Sequence, residues 1–157
     1  MKRRDLLLFF CLAAVGQAAP GMVRAQTGPS HRKPESDKPF AEHFLALQLS
    51  DSDPKKERLV LSVASNLLKF YGTDKIAINV VAFGPGIDLL REENQYRALV
   101  DSLVTQGVRF DVCGNTLDTI ERETGRRPRI NPHAIEIEAG VERLLTLAES
   151  GYTIVRP

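Results

Sequence analysis

The chain has 157 residues, with 21 Lys or Arg against 20 Asp or Glu for a formal net charge of +1, and it holds two cysteines. That balance leaves no basic surplus to favour nucleic acid. Its 43% hydrophobic content is enough for one folded domain, and after the N-terminal segments there is no room for two.

The start of the chain reads as an export signal over residues 1–25. Lys2, Arg3 and Arg4 form a basic start, residues 6–15 form an apolar run, and Val23-Arg24-Ala25 offers a small-residue cleavage position. The apolar run is too short for a membrane-spanning helix, which needs about 20 residues, so the mature form is expected to have no membrane span. Arg3-Arg4-Asp5-Leu6-Leu7 fits a twin-arginine signal and equally an ordinary basic start. Cleavage after Ala25 removes four basic side chains and one acidic one, taking the formal charge from +1 to −2. It also removes Cys11 and leaves Cys113 as the one cysteine of a periplasmic or otherwise exported protein. An odd cysteine in such a protein is a buried inert thiol, an intermolecular partner or a reactive group. Residues 26–39, polar and proline-rich, read as a flexible linker.

The domain is expected over residues 40–157. Residues 43–49 read as a strand. Residues 53–71 follow as a helix, capped by Ser52 or Asp53 and ended by Gly72, with Leu59, Val60, Val63, Leu67 and Phe70 inward. The β-branched run 75–83 predicts a strand buried on both faces, broken by Gly84-Pro85-Gly86. A second helix is expected over 92–106 with Tyr96, Leu99, Val100 and Leu103 inward, then a strand over 108–112 running into Cys113. A short helix over 115–124 follows, capped by Asn115 or Thr116, then a basic loop over 126–133. A strand over 134–138, a helix over 139–150 with Val141, Leu144, Leu145 and Ala148 inward, and a strand over 152–155 complete the chain. Repeated strand–helix–strand units predict an α/β fold with a mostly parallel sheet and helices on both faces.

Ligands of open parallel sheets bind beyond the carboxyl ends of the strands. Two segments end there with unusual residues: Gly84-Pro85-Gly86 and Cys113-Gly114-Asn115-Thr116. A cysteine just ahead of a helix start meets free N–H groups and the positive end of the dipole, which favour a thiolate. The plain alternative is a packed, inert cysteine. No CxxC pair is present, and neither GxGxxG nor GxxxxGK[ST] occurs, which argues against a dithiol and against nucleotide binding. Arg122, Arg126, Arg127 and Arg129 are candidates to hold a small anion or an acidic partner, or else form a solvated loop. The three histidines lack ligand spacing, so no metal site and no cofactor are expected.

The stretch Val108-Arg-Phe-Asp-Val-Cys113-Gly-Asn-Thr116, with Gly84-Pro-Gly-Ile87 before it and Gly151-Tyr-Thr-Ile-Val-Arg-Pro157 at the end, resembles the DsrE/DsrF-like family, in its exported, signal-bearing branch. The resemblance covers residues 44–157. It implies a three-layer α/β/α domain with a five-stranded, mainly parallel sheet, assembled as a homo-oligomer, a trimer or hexamer. In the family's sulfur-relay members a cysteine after the third strand takes sulfur as a persulfide from a donor protein and passes it to an acceptor, and Cys113 matches that position. The Gly-Asn-Thr that follows Cys113 and the Glu123-Thr124-Gly125-Arg126 helix end depart from the relay members. The expected site is therefore Cys113 with Gly114, Asn115, Thr116, Gly84, Gly86, Arg126 and Arg127 around it. The competing expectation is a non-catalytic binding or assembly protein in which Cys113 is structural.

Overall fold

The computed structural model describes residues 38–157. The expected signal, nearly all of the expected linker, Cys11 and His31 lie outside the described residues. Five strands, β1 (His43–Leu49), β2 (Ile76–Ala82), β3 (Val108–Cys113), β4 (Ile135–Ile137) and β5 (Thr153–Val155), form one sheet in the order β4-β3-β2-β1-β5. Every pairing is parallel. Between them run α1 (Pro54–Tyr71), a 3₁₀ turn over Gly84–Leu90, α2 (Arg97–Thr105), α3 (Gly114–Thr124) and α4 (Gly140–Glu149).

Strand alternation sorts the core. Leu47 and Leu49 of β1, Ile78 and Val80 of β2, and Phe110 and Val112 of β3 face Val60 of α1, Val100 of α2 and Leu117 of α3 in one cluster. The opposite face carries Ala46 and Val81 against Leu144 and Leu147 of α4. The protein is thus a three-layer α/β/α domain with three helices on one face and one on the other. β2 is buried along its whole length, as its β-branched run predicts for a central parallel strand.

Helix ends follow the local chemistry. Asp53 caps α1 by accepting from the Lys55 N–H at 2.9 Å, with Pro54 opening the first turn and Gly72 closing the last. Gly125 closes α3 in the left-handed region at φ 72°. Two expectations about the helices change. The helix expected from residue 92 begins at Arg97, because residues 84–90 wind into a 3₁₀ turn and Asn94 accepts from the Tyr96 N–H to form a separate turn. The inward faces are also narrower than expected. Leu59, Phe70, Leu99, Val141, Leu145 and Ala148 are exposed, while Leu147 packs inward on α4. Each helix buries only the stripe that meets the sheet or a neighbouring helix, and a count of apolar residues overestimates its width.

No helix among the described residues is long and apolar enough to cross a membrane.

Candidate functional site

Cys113 is the last residue of β3 and the N-cap residue of α3, with no side-chain cap bond. The helix therefore starts one residue earlier than expected, and Asn115 and Thr116 lie in its first turn rather than capping it. Alternation along β3 turns Cys113 toward the α4 face, the same side as Arg109 and Asp111. Its side chain is buried at 5% exposure, and Sγ lies 4.0 Å from the carbonyl oxygen of Glu138, between β4 and α4. That carbonyl also accepts from the Asn115 N–H at 3.1 Å. The segment leading into α4 is thus fastened over Cys113. α4 begins at Gly140, also without a side-chain cap, so the starts of two helices converge near the sulfur.

Gly114 has a steric reason to be glycine. A Cβ there would lie 3.0 Å from Glu136 Oε1 and 3.1 Å from the carbonyl oxygen of Ile137. Gly86 is tighter still, with a Cβ position 2.3 Å from the carbonyl oxygen of Leu49 at the end of β1. The 3₁₀ turn passes so close over the sheet edge that no side chain fits.

Beneath α4 sits a buried charge cluster that spacing along the chain does not reveal. Asp111, with no exposed surface, accepts from Arg109 Nε at 2.7 Å through Oδ1. Through Oδ2 it accepts from Arg143 Nε of α4 at 2.8 Å and from Asn79 Nδ2 at 3.0 Å. The two guanidinium groups reach the surface, so the carboxylate is desolvated while its partners stay partly hydrated.

The two candidate segments meet. The Gly84 N–H donates to Thr116 Oγ1 at 3.0 Å, tying the turn after β2 to the first turn of α3. Between them opens a cleft of about 560 Å³, lined by Gly84, Pro85, Ile87, Arg91, Asn115, Thr116, Thr119 and Ile120. Its floor is largely aliphatic. Arg91 and Ile120 also border a second cleft of about 880 Å³ that holds Arg126, Arg127 and Arg129. Of the expected site residues, Gly84, Asn115 and Thr116 line the first cleft and Arg126 and Arg127 the second. Cys113, Gly114 and Gly86 line neither.

The basic loop is pinned rather than loose. The Glu92 N–H donates to Arg129 O, the Asn131 N–H donates to Leu90 O, and Arg91 bridges to Ile130. Asn131, 2% exposed, also donates to Asp101 at 2.7 Å. Arg127 pairs with Asp118, with Glu121 at 3.3 Å and with Glu136 at 2.6 Å. The Asp118 bond, aided by Glu121, holds its guanidinium above the ordinary arginine value. Arg129 pairs with Glu92 at 3.3 Å. Most of the positive charge is thus matched within the protein.

No family model matches the chain, and no curated protein matches it. Among solved structures, the protein of unknown function MTH1491 from Methanobacterium thermoautotrophicum is similar. The two are 25% identical over 74% of this chain and 100% of that one, with a TM-score of 0.67. The whole of that archaeal protein thus corresponds to the α/β part of this chain, and the likeness concerns the fold.

Proposed function

We propose that this chain is an exported member of the DsrE/DsrF-like family that carries sulfur on Cys113, exchanging it with a donor and an acceptor protein as a homo-oligomer of three or six copies outside the cytoplasm. The observation that carries this reading is the place of Cys113: the end of an interior strand, at the carboxyl edge of a parallel sheet, where two uncapped helices begin. The positive ends of two helix dipoles favour negative charge, whether thiolate or persulfide anion, although the Asn115 N–H is already given to the Glu138 carbonyl. The family resemblance of the segments around Gly84, Cys113 and Tyr152 supports it further.

The reaction is a sulfur transfer without net oxidation. The Cys113 thiolate attacks the terminal sulfur of a hydropersulfide donor, R–S–SH, and a new S–S bond forms. The donor's S–S bond breaks with its electron pair leaving on R–S⁻, and Cys113–S–SH remains. Attack by an acceptor thiolate on the outer sulfur regenerates the Cys113 thiolate. Cys113 is 5% exposed beside the Glu138 carbonyl, so this reading requires that segment to yield when the donor approaches.

Intact-mass measurement of the full chain after incubation with a hydropersulfide is the test. A gain of one sulfur atom, mapped by peptide analysis to Cys113 and lost in Cys113→Ser, is the expected result. No adduct, together with alkylation of Cys113 no faster than in the unfolded chain, overturns it.

One observation favours a second reading. Cys113 is buried and does not line the largely aliphatic cleft between Gly84 and Thr116, as a binding protein with a structural cysteine would require. Under that reading Cys113→Ser keeps the fold and every cellular effect of the protein, whereas filling the cleft with Ile120→Trp abolishes the effect.

A further inference from the structure

Away from Cys113, the first turn of α1 holds a carboxylate in an unusual position. Glu57 is 1% exposed. Its Oε2 accepts from Asn94 Nδ2 at 3.2 Å, and its Oε1 has no hydrogen-bond partner among the described residues. A buried carboxylate with one oxygen unserved is costly when ionised and far less so as the neutral acid. The groups around it sharpen the preference. Asp53 at the start of α1 and Asp88 in the 3₁₀ turn are both acidic and disfavour a second negative charge. The nearby cation, Arg91, is turned to Asp88 at 3.2 Å and to Glu93 at 3.7 Å. On α2 the charged side chains Arg97 and Asp101 pair with each other at 3.8 Å. Its neighbour Tyr96 donates a hydroxyl bond to Pro54 O at 3.3 Å. Among the described residues no group of three or more His, Cys, Asp or Glu could hold a metal ion.

Glu57 also sits at a joint. Asn94, its hydrogen-bond donor, donates as well to Asp88 O at 2.9 Å and accepts from the Tyr96 N–H. One side chain thereby ties the end of the 3₁₀ turn and the lead into α2 to the first turn of α1. The same stretch supplies Gly84, Pro85, Ile87 and Arg91 to the cleft.

We propose that Glu57 is a proton-binding latch: as the neutral acid it holds residues 84–96 against α1, and its deprotonation loosens that wall of the cleft. Burial, only partly opposed by the Asn94 hydrogen bond, raises the Glu57 carboxyl above its ordinary value, and the docked form therefore binds the proton more tightly than the opened one. The sign follows from linkage. Docking is at full strength below the ordinary glutamate value and weakens as pH rises toward the raised one. Each opening releases part of a proton between the two values, so the opening constant grows with pH inside that window.

Amide hydrogen exchange of the intact chain reads this directly. Protected amides in residues 84–96 that exchange by local opening should show log rate rising with pH at a slope above one, base catalysis giving one and the linked proton the excess. Glu57→Gln should return residues 84–96 to a slope of about one. A slope of one in the wild type, or an excess over one that persists in Glu57→Gln, overturns the proposal. Should the Gln variant fail to fold, the carboxyl carbon shift of Glu57 in the wild type decides. Titration above the range of the exposed glutamates supports the latch, and titration within that range removes it.

Discussion

Replacing Asp111 by Asn tests how the α4 layer is held. The side chain is nearly the same size, so no cavity forms, and the effect is one of charge and donor–acceptor matching. All three groups that face Asp111 are donors: Arg109 on Oδ1, and Arg143 and Asn79 together on Oδ2. An amide has one oxygen, so no orientation serves both sides. The better arrangement turns the oxygen to Arg143 and Asn79 and sets an NH₂ against Arg109, whose side chain, 35% exposed, then swings into water. A hydrogen bond to a charged group contributes about 1.5–3 kcal/mol. Losing one and weakening the other two, now made to a neutral acceptor, costs about 3 kcal/mol, at the low end for a broken buried pair because both guanidinium groups keep some hydration. Urea unfolding is the assay. With an m-value of about 1.5 kcal/mol per M, the midpoint falls by about 2 M. A cycle with Arg143→Met should give a coupling of about 1–2 kcal/mol. A loss below about 1 kcal/mol, or no coupling to Arg143, would refute the idea that this carboxylate fastens α4 to the sheet.

Gly86→Ala forces a Cβ to within 2.3 Å of the Leu49 carbonyl, a backbone group at the end of β1 that cannot turn aside. We expect a loss of about 3 kcal/mol or more in thermal unfolding; Gly114→Ala, with its nearest contacts at 3.0 and 3.1 Å, should cost less. Equal melting of wild type and Gly86→Ala would mean that the turn does not approach β1 so closely. Thr116→Val strips the Gly84 N–H of its acceptor and should cost about 1–2 kcal/mol, recovered by Thr116→Ser. Faster exchange of the Gly84 amide in the Val variant alone is the accompanying signature.

The parallel sheet was legible because its signal is local. Residues 43–49 form β1 as read, and the run around Ile78 and Val80 has no other stable home than a central strand. The helix faces were less legible, since Val141 and Leu145 are as apolar as Leu144 and only the width of the sheet beneath decides which are covered. Of the site, the meeting of Gly84 with Thr116 could be guessed from both lying at strand exits, but their hydrogen bond could not. Arg126 and Arg127 looked alike in sequence. Folding sets Arg127 among Asp118, Glu121 and Glu136, three acids contributed by two separate elements. Glu57 and Asp111 gave no signal at all. A glutamate in the first turn of a helix and an aspartate in a strand look ordinary until the chain closes over them.

Lys38 sits where the described chain enters the fold. Its ammonium donates to the carbonyl oxygens of Thr73, Ile76 and Gln106, and burial among them lowers its pKa. Those carbonyls lie at or before the amino ends of β2 and β3, the far side of the sheet from Cys113 and both arginine-lined openings. The other terminus follows β5 toward the carboxyl edge, where Arg156 pairs with Asp51 at 2.9 Å. For anyone immobilising the protein, the two ends are therefore not equivalent handles. An attachment at the level of residue 38 leaves the cysteine edge facing solution, and one placed after Pro157 crowds it.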